Sequence, residues 1–332
     1  LKLTFVSVPF PGRMRSYSVP GETIVSPIDN RLNVDQACAL AREGRARTGL
    51  TLFANLGARG TKIEEWRLLS GRLAEAGVHG LELNFCCPNL DTDAMAAARA
   101  RGEHGGSQIC EHPDQCAMIV EAVKRTVGLP VVCKYMPTGS TNESVARACE
   151  QAGADAIHVV GLPPAGLPPI DPATGRPDMP LTANVSWGGT NGALCRYSTF
   201  MFVAQAARAV RLPILASGGI RDWRDIVSAV MWGADAVSVC SQIMWYGWRG
   251  LTEVQADMAD YLELRGIGHW KELKGQALRY LTSPDRIVLE DGASHVDREV
   301  CIGCGRCALP GHCEAIAMVE GRAAVDRDQC IG

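Results

Sequence analysis

The sequence predicts an α/β chain whose main domain is a (β/α)8 TIM barrel. Two interleaved repeats and the length they span carry that reading. Three segments share one pattern: Ala76-Gly77-Val78-His79-Gly80-Leu81-Glu82-Leu83, Ala152-Gly153-Ala154-Asp155-Ala156-Ile157-His158-Val159 and Trp232-Gly233-Ala234-Asp235-Ala236-Val237-Ser238-Val239. In each, a helix ends at a Gly suited to a left-handed C-cap, and an alternating apolar strand follows. Between them stand Val127-Gly128-Leu129-Pro130-Val131-Val132 and Val210-Arg211-Leu212-Pro213-Ile214-Leu215, where Pro just before a short apolar run marks a strand entrance. The first pattern returns after 76 and then 80 residues with one Leu-Pro strand inside each interval, so each interval holds two strand–helix units. Units alternating at that period fit a barrel, which takes about 250 residues. A doubly wound sheet is the alternative, because strand order is not written in the repeat.

Strands are expected near 2–7, 50–57, 80–87, 131–136, 156–161, 213–219 and 236–241. That makes seven, and the first strand–helix unit is expected to precede Leu1, where the chain opens already strand-like and without Met. A helix is expected over 61–76, opened by a Thr61-x-x-Glu64 capping box, with Ile63, Trp66, Leu69 and Leu73 on one face. Residues 245–285 read as two more helical stretches. The division expected is a barrel over 1–282, a charged linker over 283–297 with Pro284 and Gly292, and a cysteine-rich domain over 298–332 that stops in mid-motif.

At 47% apolar the 332-residue chain can bury a large core. A net charge of −3 and no stripe of Lys or Arg argue against nucleic acid as a partner. Apolar stretches are cut by charges such as Asp235 and Arg249, which argues against a membrane span. Fourteen cysteines without a recognisable leader point to a reducing, cytoplasmic setting where thiols stay free or bind metal.

Five of those cysteines cluster at the C-terminal end. Cys301-x-x-Cys304-x-x-Cys307 has the spacing of a bacterial ferredoxin run, in which the fourth cysteine ligates a second cluster. Cys313 is the candidate crossing ligand, and Cys330 reads as the first ligand of a second run. The expectation is two [4Fe–4S] clusters in a ferredoxin-like domain. Five residues separate Cys307 from Cys313 where the bacterial pattern has three, and Glu314 stands where Pro is usual. A zinc site is the competing reading of any Cys-x-x-Cys.

Barrel enzymes place their chemistry at the C-terminal ends of the strands. Those ends here carry Glu82-Leu83-Asn84-Phe85-Cys86-Cys87-Pro88-Asn89, then Cys133-Lys134-Tyr135, then Ser217-Gly218-Gly219 and Cys240-Ser241-Gln242, with Gly188-Gly189-Thr190-Asn191-Gly192 before the penultimate strand. Gly pairs at the last strand ends leave backbone N–H groups free for a phosphate.

Asn-x-x-Cys-Pro-Asn, a strand-end Lys, Gly-Gly and Cys-Ser, in that order ahead of a ferredoxin motif, resemble dihydropyrimidine dehydrogenase in its bacterial FMN-subunit form. The barrel is also similar to class 1 dihydroorotate dehydrogenase. The resemblance implies an FMN-dependent oxidoreductase of C–C bonds next to a carbonyl or amide. Cys87 would be the catalytic acid/base that moves a proton while flavin N5 moves a hydride. It implies Lys134 at the flavin N1/O2 edge, Gly218, Gly219, Cys240 and Ser241 at the FMN phosphate, Asn191 and Gly192 in an FMN-contacting loop, and Lys2 as a further flavin lysine. Asn84 and Asn30 would face flavin and substrate. Electrons would pass through the two clusters to a separate NAD(P)- and FAD-binding, iron–sulfur partner subunit, since no Gly-x-Gly-x-x-Gly follows any strand here. A homodimer or heteromeric complex is implied likewise.

The chain departs from this pattern after the lysine strand. Where the pyrimidine-reducing enzymes carry Asn-Thr, it has Val159-Val160-Gly161-Leu162-Pro163-Pro164. Losing both polar side chains is expected to make plain pyrimidines such as uracil and thymine poor substrates. The loop from Pro88 to Asp114, with Arg99, Arg101 and His104, is expected to close over substrate. Two other readings stay open: a non-catalytic electron-transfer subunit built on the same scaffold, and a metal-dependent barrel with an accessory zinc domain.

Overall fold

The computed structural model describes the chain except residues 7–14, 29–30, 88–99, 101–102, 138–140, 162–165, 180, 289, 291, 310–313 and 331–332. It divides into two compact units, Leu1–Arg279 and Tyr280–Gly332.

The large unit is built on eight parallel strands in a curled, barrel-type sheet flanked by helices. Numbered with every other strand of the chain, these are β1 (Thr4–Phe5), β4 (Leu32–Asn33), β5 (Phe53–Leu56), β6 (Gly80–Asn84), β7 (Val131–Tyr135), β8 (Ala156–Val160), β12 (Ile214–Ser217) and β13 (Ala236–Ser238). Their spatial order is β13-β12-β8-β7-β6-β5-β1-β4. Seven match the strands expected. The eighth in this sheet is β4, which pairs with β1 through Thr4↔Leu32 and Phe5↔Asn33. Two residues are too few to show an alternation in sequence. Asn33 has a second role: its side chain accepts from the Gln36 N–H while Gln36 accepts from the Asn33 N–H, a reciprocal cap that starts the helix Val34–Arg47.

The repeat has a physical cause that recurs three times. Gly77, Gly153 and Gly233 have φ of 87°, 91° and 114°, a region L-residues disfavour. The residue after each donates its N–H five residues back: Val78 to Leu73 O (3.5 Å), Ala154 to Cys149 O (3.0 Å) and Ala234 to Ala229 O (3.0 Å). That closes the helix by satisfying a carbonyl its last turn leaves open. The next residue then grips the start of an adjacent strand at two points. His79 donates its N–H to Leu52 O (2.8 Å), and its Nδ1 accepts from Leu52 N–H (2.8 Å). Asp155 does the same with Val131 (2.9 and 2.7 Å), and Asp235 with Ile214 (2.7 and 2.9 Å). Helix exit and strand register are thus set together.

Side chains at alternate strand positions, Leu81 and Leu83, Val131 and Cys133, Ile157 and Val159, Ile214 and Ala216, are buried in the core cluster with Trp66, Leu69, Ile119, Val123, Val145 and Val203 of the surrounding helices. The helix Ile63–Glu75 buries Trp66, Leu69 and Leu73 as expected, but its N-cap is Lys62 with no side-chain cap bond, so the Thr61–Glu64 capping box does not form. The Trp66 indole instead donates to Arg59 O at 3.0 Å, tying down the entering loop. Two helical stretches were expected in 245–285. The chain makes two helical segments within Ser241–Leu264, separated at the non-helical Gly247 (φ 66°), followed by short 3-10 turns. A three-stranded antiparallel sheet is formed by β2 (Arg15–Val19), β3 (Thr23–Ile28) and β11 (Gly189–Gly192), with Asn191 opposite Ile24. Two short strands, β9 (Ile170–Asp171) and β10 (Arg176–Pro177), pair antiparallel with each other.

The small unit contains a hairpin, β14 (Ile316–Val319) with β15 (Arg322–Val325). Its two-residue turn places Glu320 at φ 53° and Gly321 at φ 76°, both left-handed as a tight hairpin turn requires. Gly303 packs so closely on this turn that a Cβ would stand 2.3 Å from Gly321 O. Among the described residues no helix is long and apolar enough to cross a membrane.

Candidate functional site

One cavity of about 490 Å³ lies at the C-terminal ends of the parallel strands. A cavity of that size suits a cofactor or small substrate. Cys87, Asn84, Lys134, Asn191, Gly192, Gly218, Gly219, Cys240, Ser241 and Lys2 all line it, although they come from segments far apart in sequence. Asn30 and Cys313 lie outside the described residues, as does most of the Pro88–Asp114 loop with Arg99 and Arg101.

The cysteine turn is held from below. Asn84, buried at the end of β6, accepts the backbone N–H of Cys86 at 3.0 Å and of Cys87 at 2.9 Å on its Oδ1. The Cys86 thiol points to the same oxygen (3.2 Å), and its sulfur is 3.5 Å from that of Cys87. The Cys86 hydrogen bond, followed by the charges of Lys134 and Arg31, outweighs burial and draws the Cys87 thiol well below its ordinary value, while Cys86 is driven up by the same pairing. One thiolate facing the cavity beside one protonated thiol is the arrangement proton transfer needs. Cys110 is buried, donates to Phe85 O at 3.0 Å, and is pushed up chiefly by burial, as an inert core thiol should be.

Lys134 faces inward on β7. Burial works against its charge, but the anionic neighbours Cys87 and Glu82 more than offset that and hold its amine above the usual range, so it stays a cation. The Gly218–Gly219 turn has φ of 101° and 81°. A Cβ on Gly218 would sit 2.2 Å from Gly161 O, and one on Gly219 2.3 Å from Arg196 N. The Thr199 hydroxyl lies within hydrogen-bonding distance of Ser217 O (2.9 Å) and Gly218 O (2.7 Å), which ties this turn to the neighbouring helix. Next to it, the helix beginning at Ser241 has Cys240 as N-cap and no side-chain cap bond. Uncapped N–H groups at a helix start, beside a glycine turn, suit a phosphate.

Sequence reading passed over three cavity residues: Asn55, Glu82 and His158. Their signal was present, since buried parallel strands are ordinarily apolar throughout, and each is a polar residue inside such a strand. Asn55 Nδ2 donates to Glu82 Oε1, Asn84 Nδ2 donates to Asn55 Oδ1 (2.9 Å), and His158 Nδ1 lies 2.6 Å from Glu82 Oε2. Burial raises the Glu82 carboxyl, but His158, Lys134 and Asn55 together overcome it and hold it at about 2.

In the small unit, Cys301 Sγ accepts the Ala323 N–H at 3.5 Å, and that bond with one from Gly303 lowers its thiol. Cys330 Sγ accepts from Ser294 N–H at 3.2 Å. Backbone donors of this kind favour thiolates, the form that binds metal. Among the described residues, however, no three His, Cys, Asp or Glu side chains converge as a metal site. Cys301, Cys304, Cys307 and Cys330, expected as ligands of two clusters, are therefore not drawn together among the described residues.

A parallel barrel that gathers a thiolate, a buried lysine and an anion-type turn at its strand ends belongs to the class of α/β-barrel enzymes with their chemistry at that face. The chain itself belongs to the dihydroorotate dehydrogenase family, a family of oxidoreductases, whose model matches residues 34–262. It is 32% identical over 247 residues to a protein of Solibacter usitatus assigned as dihydroorotate dehydrogenase A (fumarate), covering 73% of this chain and 74% of that one. It is 28% identical to the NAD-dependent dihydropyrimidine dehydrogenase subunit PreA of Escherichia coli (strain K12), over 75% of this chain but 59% of that protein. It is 31% identical to the dihydroorotate dehydrogenase B (NAD(+)) catalytic subunit of Fusobacterium nucleatum, over 66% of each chain.

Proposed function

We propose that the chain is the FMN-bearing catalytic unit of an oxidoreductase that interconverts a C–C single and double bond next to a carbonyl or amide. The observation that carries this reading is convergence: Cys87, Lys134, Asn84, Gly218–Gly219 and Cys240–Ser241 line one cavity of about 490 Å³. The residues present suit FMN. Gly218, Gly219, Cys240 and Ser241 would hold its phosphate, and Asn191, Gly192, Lys2 and Lys134 would hold its ring. FMN, when bound, supplies hydride transfer at one carbon.

Cys87 handles the proton on the neighbouring carbon. Its thiolate takes that proton as the double bond forms and returns it when the bond is reduced, so each turnover moves one hydride and one proton. Asn84 keeps the sulfur in place by holding both cysteine N–H groups. Lys134 offsets the negative charge that accumulates on reduction.

The small unit is the electron outlet in this proposal. Cys301, Cys304, Cys307, Cys313 and Cys330 would supply part of the ligand set of two [4Fe–4S] clusters, groups that carry single electrons and would link the chain to an NAD(P)- and FAD-binding partner subunit. The support is the cysteine spacing and the backbone donors at Cys301, not an assembled cage.

The substrate is not a plain pyrimidine. Val160 lines the cavity, and Gly161 is confined because a Cβ there would meet Thr199 Oγ1 at 2.2 Å, so neither offers a side-chain hydrogen bond. An anaerobic visible spectrum of the purified chain tests the whole reading. Flavin bands at about 370 and 450 nm above a broad iron–sulfur shoulder are expected. Loss of the flavin bands would refute the catalytic assignment, and loss of the shoulder the electron outlet.

A further inference from the structure

Cys86 and Cys87 are neighbours in sequence and their sulfurs lie 3.5 Å apart, yet the two thiols have different surroundings. Cys86 is fully buried, whereas Cys87 is half-buried and borders the cavity. Asn84 Oδ1 accepts the N–H groups of both residues, at 3.0 and 2.9 Å. An amide oxygen has two lone pairs, and these two donors fill them. The Cys86 thiol, 3.2 Å from the same oxygen, is a third donor there, so its hydrogen is better used on the Cys87 sulfur. That bond holds Cys87 below, and Cys86 above, the ordinary thiol value. The turn therefore sets a thiolate at the cavity against a protonated thiol buried behind it.

Moving a proton at a substrate carbon uses the first sulfur and leaves the second idle. A thiolate with another thiol in reach is equipped for exchange with a disulfide. We propose that Cys86 and Cys87 form a redox modification site, which takes low-molecular-weight disulfides from the cavity and closes to a disulfide between the two adjacent residues.

The Cys87 thiolate attacks one sulfur of a disulfide RSSR, which forms a Cys87–SR mixed disulfide and releases RS⁻. The Cys86 sulfur then attacks that of Cys87. The Cys87–SR bond breaks, and the departing sulfur leaves with the Cys86 thiol hydrogen as RSH. Two protein thiols are oxidised and one external disulfide is reduced. Adjacent Cα atoms stand at most about 3.8 Å apart, short of the roughly 4.4–6.8 Å that disulfides usually span, and such strain makes the bond easily reduced. Excess thiol should therefore reopen it. The inference needs the two sulfurs and the cavity alone. Joined to the reading above, closure withdraws the sulfur that moves the proton.

The test exposes the full chain, as purified and without oxygen, to bis(2-hydroxyethyl) disulfide at pH 7. The sample is quenched in acid, denatured, alkylated with a maleimide and digested with trypsin. Residues 73–99 form one tryptic peptide, and its cysteines are Cys86 and Cys87, so its mass reads the pair independently of turnover. A sulfur held beside its target reacts as though at a concentration no dissolved thiol reaches, so the internal disulfide should exceed the mixed one by at least about tenfold in wild type. Dithiothreitol added before the quench should restore both thiols. Cys86→Ser should stop at the mixed disulfide on Cys87, and Cys87→Ala should leave Cys86 free until denaturation. An unmodified wild-type peptide, a predominant mixed disulfide, or a cross-link to Cys240 on the same cavity overturns the proposal. So does reaction of Cys86 in Cys87→Ala. Should either variant not fold, the wild-type peptide decides alone. A chain that purifies without flavin yet closes this disulfide refutes the FMN reading and supports this one.

Discussion

Replacing Glu82 by Gln isolates the electrostatics of the barrel interior. The Glu82 side chain is 17% exposed and receives hydrogen bonds from Asn55 and His158. A carboxyl held at about 2 instead of its ordinary 4.5 contributes roughly 3 kcal/mol of stability at neutral pH. Because the folded value is the depressed one, that contribution is complete above about 4.5 and fades as pH falls toward 2. The substituted glutamine has one acceptor oxygen for two donors, and its own N–H₂ meets a second donor head-on. Glu82→Gln should therefore unfold about 3 kcal/mol more easily at pH 7, or roughly 6–12 °C lower. The gap should narrow by about 1.4 kcal/mol at pH 3.5, one decade below the ordinary carboxyl value. All seven tryptophans fall within Leu1–Arg279, so urea unfolding followed by their fluorescence reports the large unit alone. Both proteins must carry the same flavin load. A gap of equal size at pH 7 and 3.5, or none at pH 7, would falsify the ion-pair account of Glu82.

Cys87→Ala should still bind flavin but turn over about 10²–10⁴-fold more slowly, as measured by steady-state kinetics; unchanged turnover removes the sulfur from the reaction. Gly218→Ala must push a methyl group into Gly161 O at 2.2 Å, so it should weaken FMN affinity by more than about tenfold, read by fluorescence titration. Asp235→Ala strands the Ile214 N–H and releases Lys274, which sits 2.6 Å from the carboxylate; a loss of about 1–3 kcal/mol is expected in urea melts, and a neutral result would count against the two-point grip. Uracil and thymine should reoxidise reduced enzyme far more slowly than less polar cyclic enamides or enones do; efficient uracil reduction would refute the reading of Val160–Gly161.

The parts of this protein that depend on neighbours in the chain were legible without coordinates. Left-handed glycines close three helices where the Ala-Gly and Trp-Gly steps stand, because helix termination is decided within a few residues. Seven of the sheet's strands, standing in apolar runs, declared themselves for the same reason, whereas β4 did not. The cavity residues Cys87, Lys134 and Gly218–Gly219 were found through their motifs, and the structure brings them to one place. The N-cap position falls on Lys62 rather than Thr61, and the entering loop is held by the Trp66 indole on Arg59 O, a contact the capping rule does not contain.

By itself the sequence determined the barrel class, the strand ends that carry chemistry, and the glycine and cysteine motifs, since each is a local pattern with a local cause. Only the tertiary structure decided that Asn55, Glu82 and His158, spread over about a hundred residues, form one polar chain below Cys87. Which inward positions meet is set by strand order and register, as in Glu82 reaching past β7 to His158 on β8. Those pairings arise when distant segments pack together, and no short stretch of residues encodes them.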